Sequence, residues 1–177
     1  TKLAEDEFWI IGSGMAERYH KRFFKQVSLP TGTTFESRTN EMCGFNIAGP
    51  KSRNMLQCLT NASLVTDDFP FMRSKWIELA GVTVLALRVS FTGDLGWELH
   101  CAEADQARLY DALLKVGKDF NAGPVGGRAL MSLRVEKGYV IAEAQRLNGS
   151  EVTFPSPTVG GTEHLMLAAS LAQGTTV

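Results

Sequence analysis

The chain has 177 residues, enough for one domain with a buried core, with room for a short extra segment. Hydrophobic residues make up 44% and charged residues 21%, and 18 Lys and Arg against 19 Asp and Glu leave a formal charge of -1. That balance excludes a global field recruiting nucleic acid or an anionic membrane. No apolar run approaches the roughly 20 residues that cross a bilayer, and Thr1 opens into the charged LAEDE without a basic-then-apolar leader, so the chain reads as soluble. Cys43, Cys58 and Cys101 are odd in number and lack CxxC spacing, which argues against a disulfide framework or a zinc site and for a reducing compartment.

In chain order, EFWIIG at 7–12 is aromatic and β-branched and predicts a strand ending in Gly-Ser-Gly. Ala16, Tyr19, Phe23 and Val27 recur at spacings of three and four and predict a helix with that stripe inward, its basic face (Arg18, Lys21, Arg22, Lys25) solvated. The run CGFNIAG at 43–49 predicts a second strand, and Gly49-Pro50 opens a helix through Met55, Leu56 and Leu59. KWIEL at 75–79 follows. The strand at 82–90 is apolar on both faces, which predicts a central strand covered on both sides.

Gly93 and Gly96 bracket a turn containing Asp94, and 97–101 returns as a strand. On it Trp97, Leu99 and Cys101 share one face, Glu98 and His100 the other. A helix over about 103–119 carries Glu103 and Asp105 in its first turn and an inward stripe of Ala107, Tyr110, Leu113 and Leu114. The last helix, RALMSLRVEK, stops at Gly138. The pattern is α+β, a mixed or antiparallel sheet with packed helices. It divides into a domain at 1–140 and a tail at 141–177 rich in Pro, Gly, Ser and Thr.

Motifs from other classes fit poorly. The strand-GSG-helix pattern at 7–20 has Glu17 where the dinucleotide fingerprint wants a third glycine, and a carboxylate there repels a pyrophosphate. His20, His100 and His164 have no ligand spacing, so no metal is expected. Ser13 lacks the G-x-S-x-G elbow. Glu98, taken alone, suits a half-exposed strand residue with a cross-strand partner.

Three segments change that reading. NIAGPKS at 46–52, RVSFTGDLGWELH at 88–100 and GRALMSLRVEKGY at 127–139, in this order, resemble the folate-binding family of the glycine-cleavage T-protein (aminomethyltransferase), in the form found in dimethylglycine and sarcosine dehydrogenases. The resemblance runs over roughly residues 5–139. It implies a folate-binding α+β region followed by a small β-barrel, of which 141–177 is a remnant. The implied activity is transfer of a one-carbon unit from a glycine-derived amine to tetrahydrofolate, any flavin (FAD) oxidation belonging to a separate domain.

The implied partners are a folate, an amine substrate and an oxidoreductase domain or subunit, with no nucleic acid or membrane. The implied compartment is the cytoplasm or the mitochondrial matrix. By position Glu98 matches the glutamate that holds the pterin, and a carboxylate can accept the ring N–H and the exocyclic amino group together. Arg128 matches the arginine opening the family's last helix, and Phe91 stands where tyrosine is common, which removes a phenolic hydroxyl. Arg134 lies about 120° around the helix from Arg128 and is expected in a structural ion pair. Asp94 is expected to shape the turn.

The family's catalytic aspartate comes from a segment before the one that begins at Glu7, so the chain reads as N-terminally truncated and its own catalytic residues are unknown. A non-catalytic folate-binding accessory protein of the same fold is the alternative. Those carry Lys-Gly-Cys-Tyr, and Lys137-Gly138-Tyr139 lacks the cysteine. An interaction scaffold of the same fold is the third reading.

Overall fold

The computed structural model describes residues 1–136, 148–149, 151–153, 166, 169, 173–175 and 177. Two units are present, Thr1–Val125 and Gly126–Val177. The first is built on a four-stranded antiparallel sheet: β1 (Met42–Ala48), β2 (Ser74–Leu79), β3 (Val82–Leu87) and β4 (Gly96–Ala102), in the order β1-β4-β3-β2. Its helices are α1 (Glu17–Gln26), α2 (Ser52–Gln57) and α3 (Gln106–Gly117).

β3 and β4 are the inner strands, as the two-faced apolar pattern of β3 predicts. One sheet face carries Val82, Val84 and Ala86 of β3 and Trp97, Leu99 and Cys101 of β4, all buried. Against them pack Leu109 and Leu113 of α3 and Met55 and Leu56 of α2, with Leu64 and Phe69 from the connection between α2 and β2. Trp97 is at its centre, fully buried, with Phe69 meeting its ring edge-on at 5.1 Å and the Arg88 guanidinium 5.0 Å from its centroid. On the other sheet face Leu85 and Leu87 are also buried, so β3 is covered on both sides.

The β2–β3 hairpin turns on Ala80 and Gly81, both at positive φ (50° and 76°). Such a two-residue turn favours Asn-Gly or Gly-Gly, because a Cβ in the left-handed region is strained. Replacing Ala80 with glycine removes that Cβ, and a gain of about 0.5–1 kcal/mol is expected. For a chain of this size that is a rise of about 1–4 °C in melting temperature, readable by circular dichroism. In the β3–β4 connection only Gly93 needs positive φ (78°). Gly96 is required for space, since a Cβ there would lie 2.7 Å from the Val89 carbonyl oxygen.

Three expectations are corrected. Residues 7–12 form no strand; Phe8 makes an isolated bridge to Lys2. With no strand leading into α1, the dinucleotide reading loses its structural context. On α1 the apolar stripe does not face a core, for Tyr19 is 73% and Phe23 54% exposed. On α3 the buried side chains are Leu109 and Leu113 with Gly117, one helical row away from the expected Ala107 and Tyr110.

The second unit contains α4 (Gly127–Glu136), a parallel bridge between Asn148 and Gln173, and a backbone bond from Val152 N–H to the Val177 carbonyl (2.9 Å). On α4 Arg128 is exposed and Arg134 buried, as their angular separation requires. Gly138 and most of the 141–177 tail lie outside the described residues.

Candidate functional site

The β1–β4 register sets the site. Glu103 N–H donates to the Glu41 carbonyl and Gly49 N–H to the Leu95 carbonyl, both at 2.9 Å, at the two ends of the paired run Met42↔Ala102 to Ala48↔Gly96. Hydrogen-bonded and non-hydrogen-bonded pairs alternate, so odd-numbered residues of β1 take the former positions and even-numbered ones the latter. Glu98 opposite Asn46, and His100 opposite Gly44, are therefore the close, non-hydrogen-bonded pairs. All four lie on the sheet face away from Trp97.

Gly44 makes room for the histidine. A Cβ at that position would stand 3.0 Å from His100 Nδ1, so the imidazole lies over the bare glycine backbone. Its Nε2 is 3.4 Å from Glu98 Oε2, at the outer limit of a hydrogen bond. Glu98 has no other hydrogen-bond or ion-pair partner among the described residues, and its side chain is 28% exposed. The carboxylate is thus held on a stiff inner strand with most of its acceptor capacity unused.

His100 also lines a cavity of about 370 Å³ whose walls include Trp9, His20, Phe24, Phe35 and Cys43. Glu98 is not in that wall; it stands one side-chain step along β4 from it. At the cavity rim Glu17 is ion-paired with Lys21 and accepts a hydrogen bond from Ser37 Oγ (3.0 Å). Lys21, then Thr39 and Ser37, hold its carboxyl below the usual range. That carboxylate is committed to protein partners, in contrast to Glu98.

Phe91, half-buried, lies in the β3–β4 connection of the same unit as Glu98, as does Asp94. Arg128 belongs to the second unit. Arg88, from the segment resembling the folate-binding family, points to the core side: its Nη1 donates to the Gly96 carbonyl (3.0 Å), and burial, then the charge of Arg53, push its guanidinium down. The alternation on β4 places His100 beside Glu98 in the sequence itself. The role of Gly44 needs the register and is not legible before it. No group of three or more His, Cys, Asp or Glu residues that could hold a metal occurs among the described residues.

Comparison with known proteins places these residues in a family. The model of the GCVT N-terminal domain matches residues 1–148. The chain is 33% identical over 135 residues to human mitochondrial dimethylglycine dehydrogenase, covering 75% of this chain and 16% of that protein. To human mitochondrial sarcosine dehydrogenase it is 43% identical over 94 residues, 53% of this chain and 10% of the other. To an aminomethyltransferase of Alkaliphilus metalliredigens it is 30% identical over 136 residues, 76% and 36% respectively. The chain belongs to the GCVT N-terminal domain family. It spans less than a fifth of the length of the dimethylglycine dehydrogenases it matches.

Proposed function

We propose that this chain is the tetrahydrofolate-binding portion of an enzyme that moves a one-carbon unit from a glycine-derived amine, in glycine cleavage or in demethylation of dimethylglycine or sarcosine. The observation that carries the reading is the Glu98 carboxylate: partly exposed, fixed by β4, with a single long polar contact, to His100, among the described residues. These properties fit a pterin edge, which offers a ring N–H and an amino group side by side to two carboxylate oxygens. Family membership and the dehydrogenase relatives support the same reading.

When bound, tetrahydrofolate supplies the nitrogens that accept the one-carbon unit. Glu98 accepts from the pterin edge and orients it. His100 restrains the Glu98 side chain from one side, and Asn46, exposed on the opposing strand, adds an amide to the same face. Phe91 and Arg128 are further residues assigned to the folate, Phe91 through apolar contact and Arg128 through charge. An oxidoreductase domain or subunit carrying the flavin is the implied partner, in the cytoplasm or the mitochondrial matrix. No helix among the described residues is long and apolar enough to cross a membrane.

Calorimetric titration of the chain with tetrahydrofolate tests the proposal. Saturable one-to-one binding is expected, and a folded chain that releases no heat with tetrahydrofolate, and is not stabilised by it against thermal unfolding, overturns it.

A further inference from the structure

Two of the cysteines that stand far apart in the sequence meet in the fold. Cys43 of β1 and Cys101 of β4 are register partners, and their sulfur atoms are 3.3 Å apart. They occupy a hydrogen-bonded pair position, where Cα atoms of antiparallel strands lie about 5.5 Å apart. That spacing falls within the roughly 4.4–6.8 Å range that a disulfide spans. The two thiols differ in access: Cys43 is half-buried on edge strand β1, whereas Cys101 is sealed in the core. Cys58, the third cysteine, is exposed on the segment after α2, and its thiol donates to the Asn54 carbonyl (3.3 Å).

We propose that Cys43 and Cys101 are a dithiol modification site, which a hydroperoxide reaching half-buried Cys43 on edge strand β1 converts reversibly to a cross-strand disulfide. In the first step Cys43 Sγ, as thiolate, attacks one peroxide oxygen; the O–O bond breaks, hydroxide leaves and takes up a proton as water, and Cys43 becomes a sulfenic acid. In the second, Cys101 Sγ attacks Cys43 Sγ. The S–O bond breaks, the departing hydroxide takes the Cys101 proton and leaves as water, and the S–S bond forms. Two thiols and one hydrogen peroxide thus give one disulfide and two waters, the sulfurs being oxidised by two electrons and the peroxide reduced by two.

The order of the steps follows from the environments. Burial, and then the neighbouring Cys43, push the Cys101 thiol up to about 12, so it is a poor first nucleophile. Its place against Cys43 suits it to resolve a sulfenic acid, since a partner already in contact reacts far faster than one arriving from solution. The bond would fasten edge strand β1 to β4 beside His100, without touching Glu98.

The test treats the full chain with one equivalent of hydrogen peroxide, followed by alkylation after denaturation and peptide mass spectrometry. The expected product is the Cys43–Cys101 linked peptide, reversed by dithiothreitol and formed at least about tenfold faster than Cys58 is consumed. Dimedone should label Cys43 in Cys101→Ser, and Cys43→Ser should leave Cys101 unmodified, each variant being checked for native circular dichroism. Recovery of both Cys43 and Cys101 as alkylated peptides while Cys58 is oxidised overturns the proposal, as does a peroxide-treated Cys101→Ser variant in which Cys43 takes no dimedone.

Discussion

Substituting Trp97 with alanine is expected to destabilise the chain by about 3–5 kcal/mol, the range for removing a buried aromatic side chain. The site explains why the upper half of that range applies. Trp97 is fully buried at the centre of β4, so its removal leaves a void that Phe69, itself fully buried, cannot relax to fill. The Arg88 guanidinium loses the ring beneath it as well, a contact of about 0.5–2 kcal/mol depending on desolvation. Urea unfolding followed by far-ultraviolet circular dichroism reads the loss as a lower midpoint at unchanged slope. Trp97→Phe should cost markedly less. The indole Nε1 is buried with no hydrogen-bond partner among the described residues, a state that itself costs about 1–3 kcal/mol and that phenylalanine relieves.

The second large effect is on ligand affinity. Glu98→Gln preserves the shape of the side chain but replaces one acceptor oxygen with an amide NH2 group, which in the proposed complex would meet the pterin donors head-on. Loss of a charge-assisted bidentate pair of this kind weakens binding by about 10–100-fold, or roughly 1.4–2.8 kcal/mol. Stability should stay within about 0.5 kcal/mol of wild type, because the side chain is partly exposed and its contact to His100 is 3.4 Å long. Tetrahydrofolate titrations of both proteins, paired with melting curves, separate the two quantities. Glu17→Gln, at a carboxylate already satisfied by Lys21 and Ser37, is the matched control and should leave folate affinity unchanged.

What the sequence makes legible follows from which signals are local. The alternation Trp97, Leu99, Cys101 against Glu98, His100 is a property of one strand, and the structure keeps it residue for residue. The inner position of β3 was legible for the same reason: two apolar faces require two covers. Residues 7–12 have the residue types of a strand, yet a strand exists only where another backbone pairs with it, and composition carries no information about that partner. The stripe on α1 marks which side of the helix is apolar. It does not say that anything lies against it, and Tyr19 and Phe23 are exposed. Gly44 under His100 and the Cys43–Cys101 pair both depend on the β1–β4 register, a long-range pairing over about 58 residues of chain that no local pattern specifies.

The proposed pairing of Glu98 with the amino-bearing edge of the pterin is tested most directly by a cycle in which both partners are altered. Tetrahydrofolate and its analogue lacking the 2-amino group are titrated into wild type and into Glu98→Gln. Wild type should bind the parent compound at least about tenfold more tightly than the analogue, and Glu98→Gln should scarcely distinguish them. An equal preference in both proteins would place the carboxylate away from that edge and contradict the assignment.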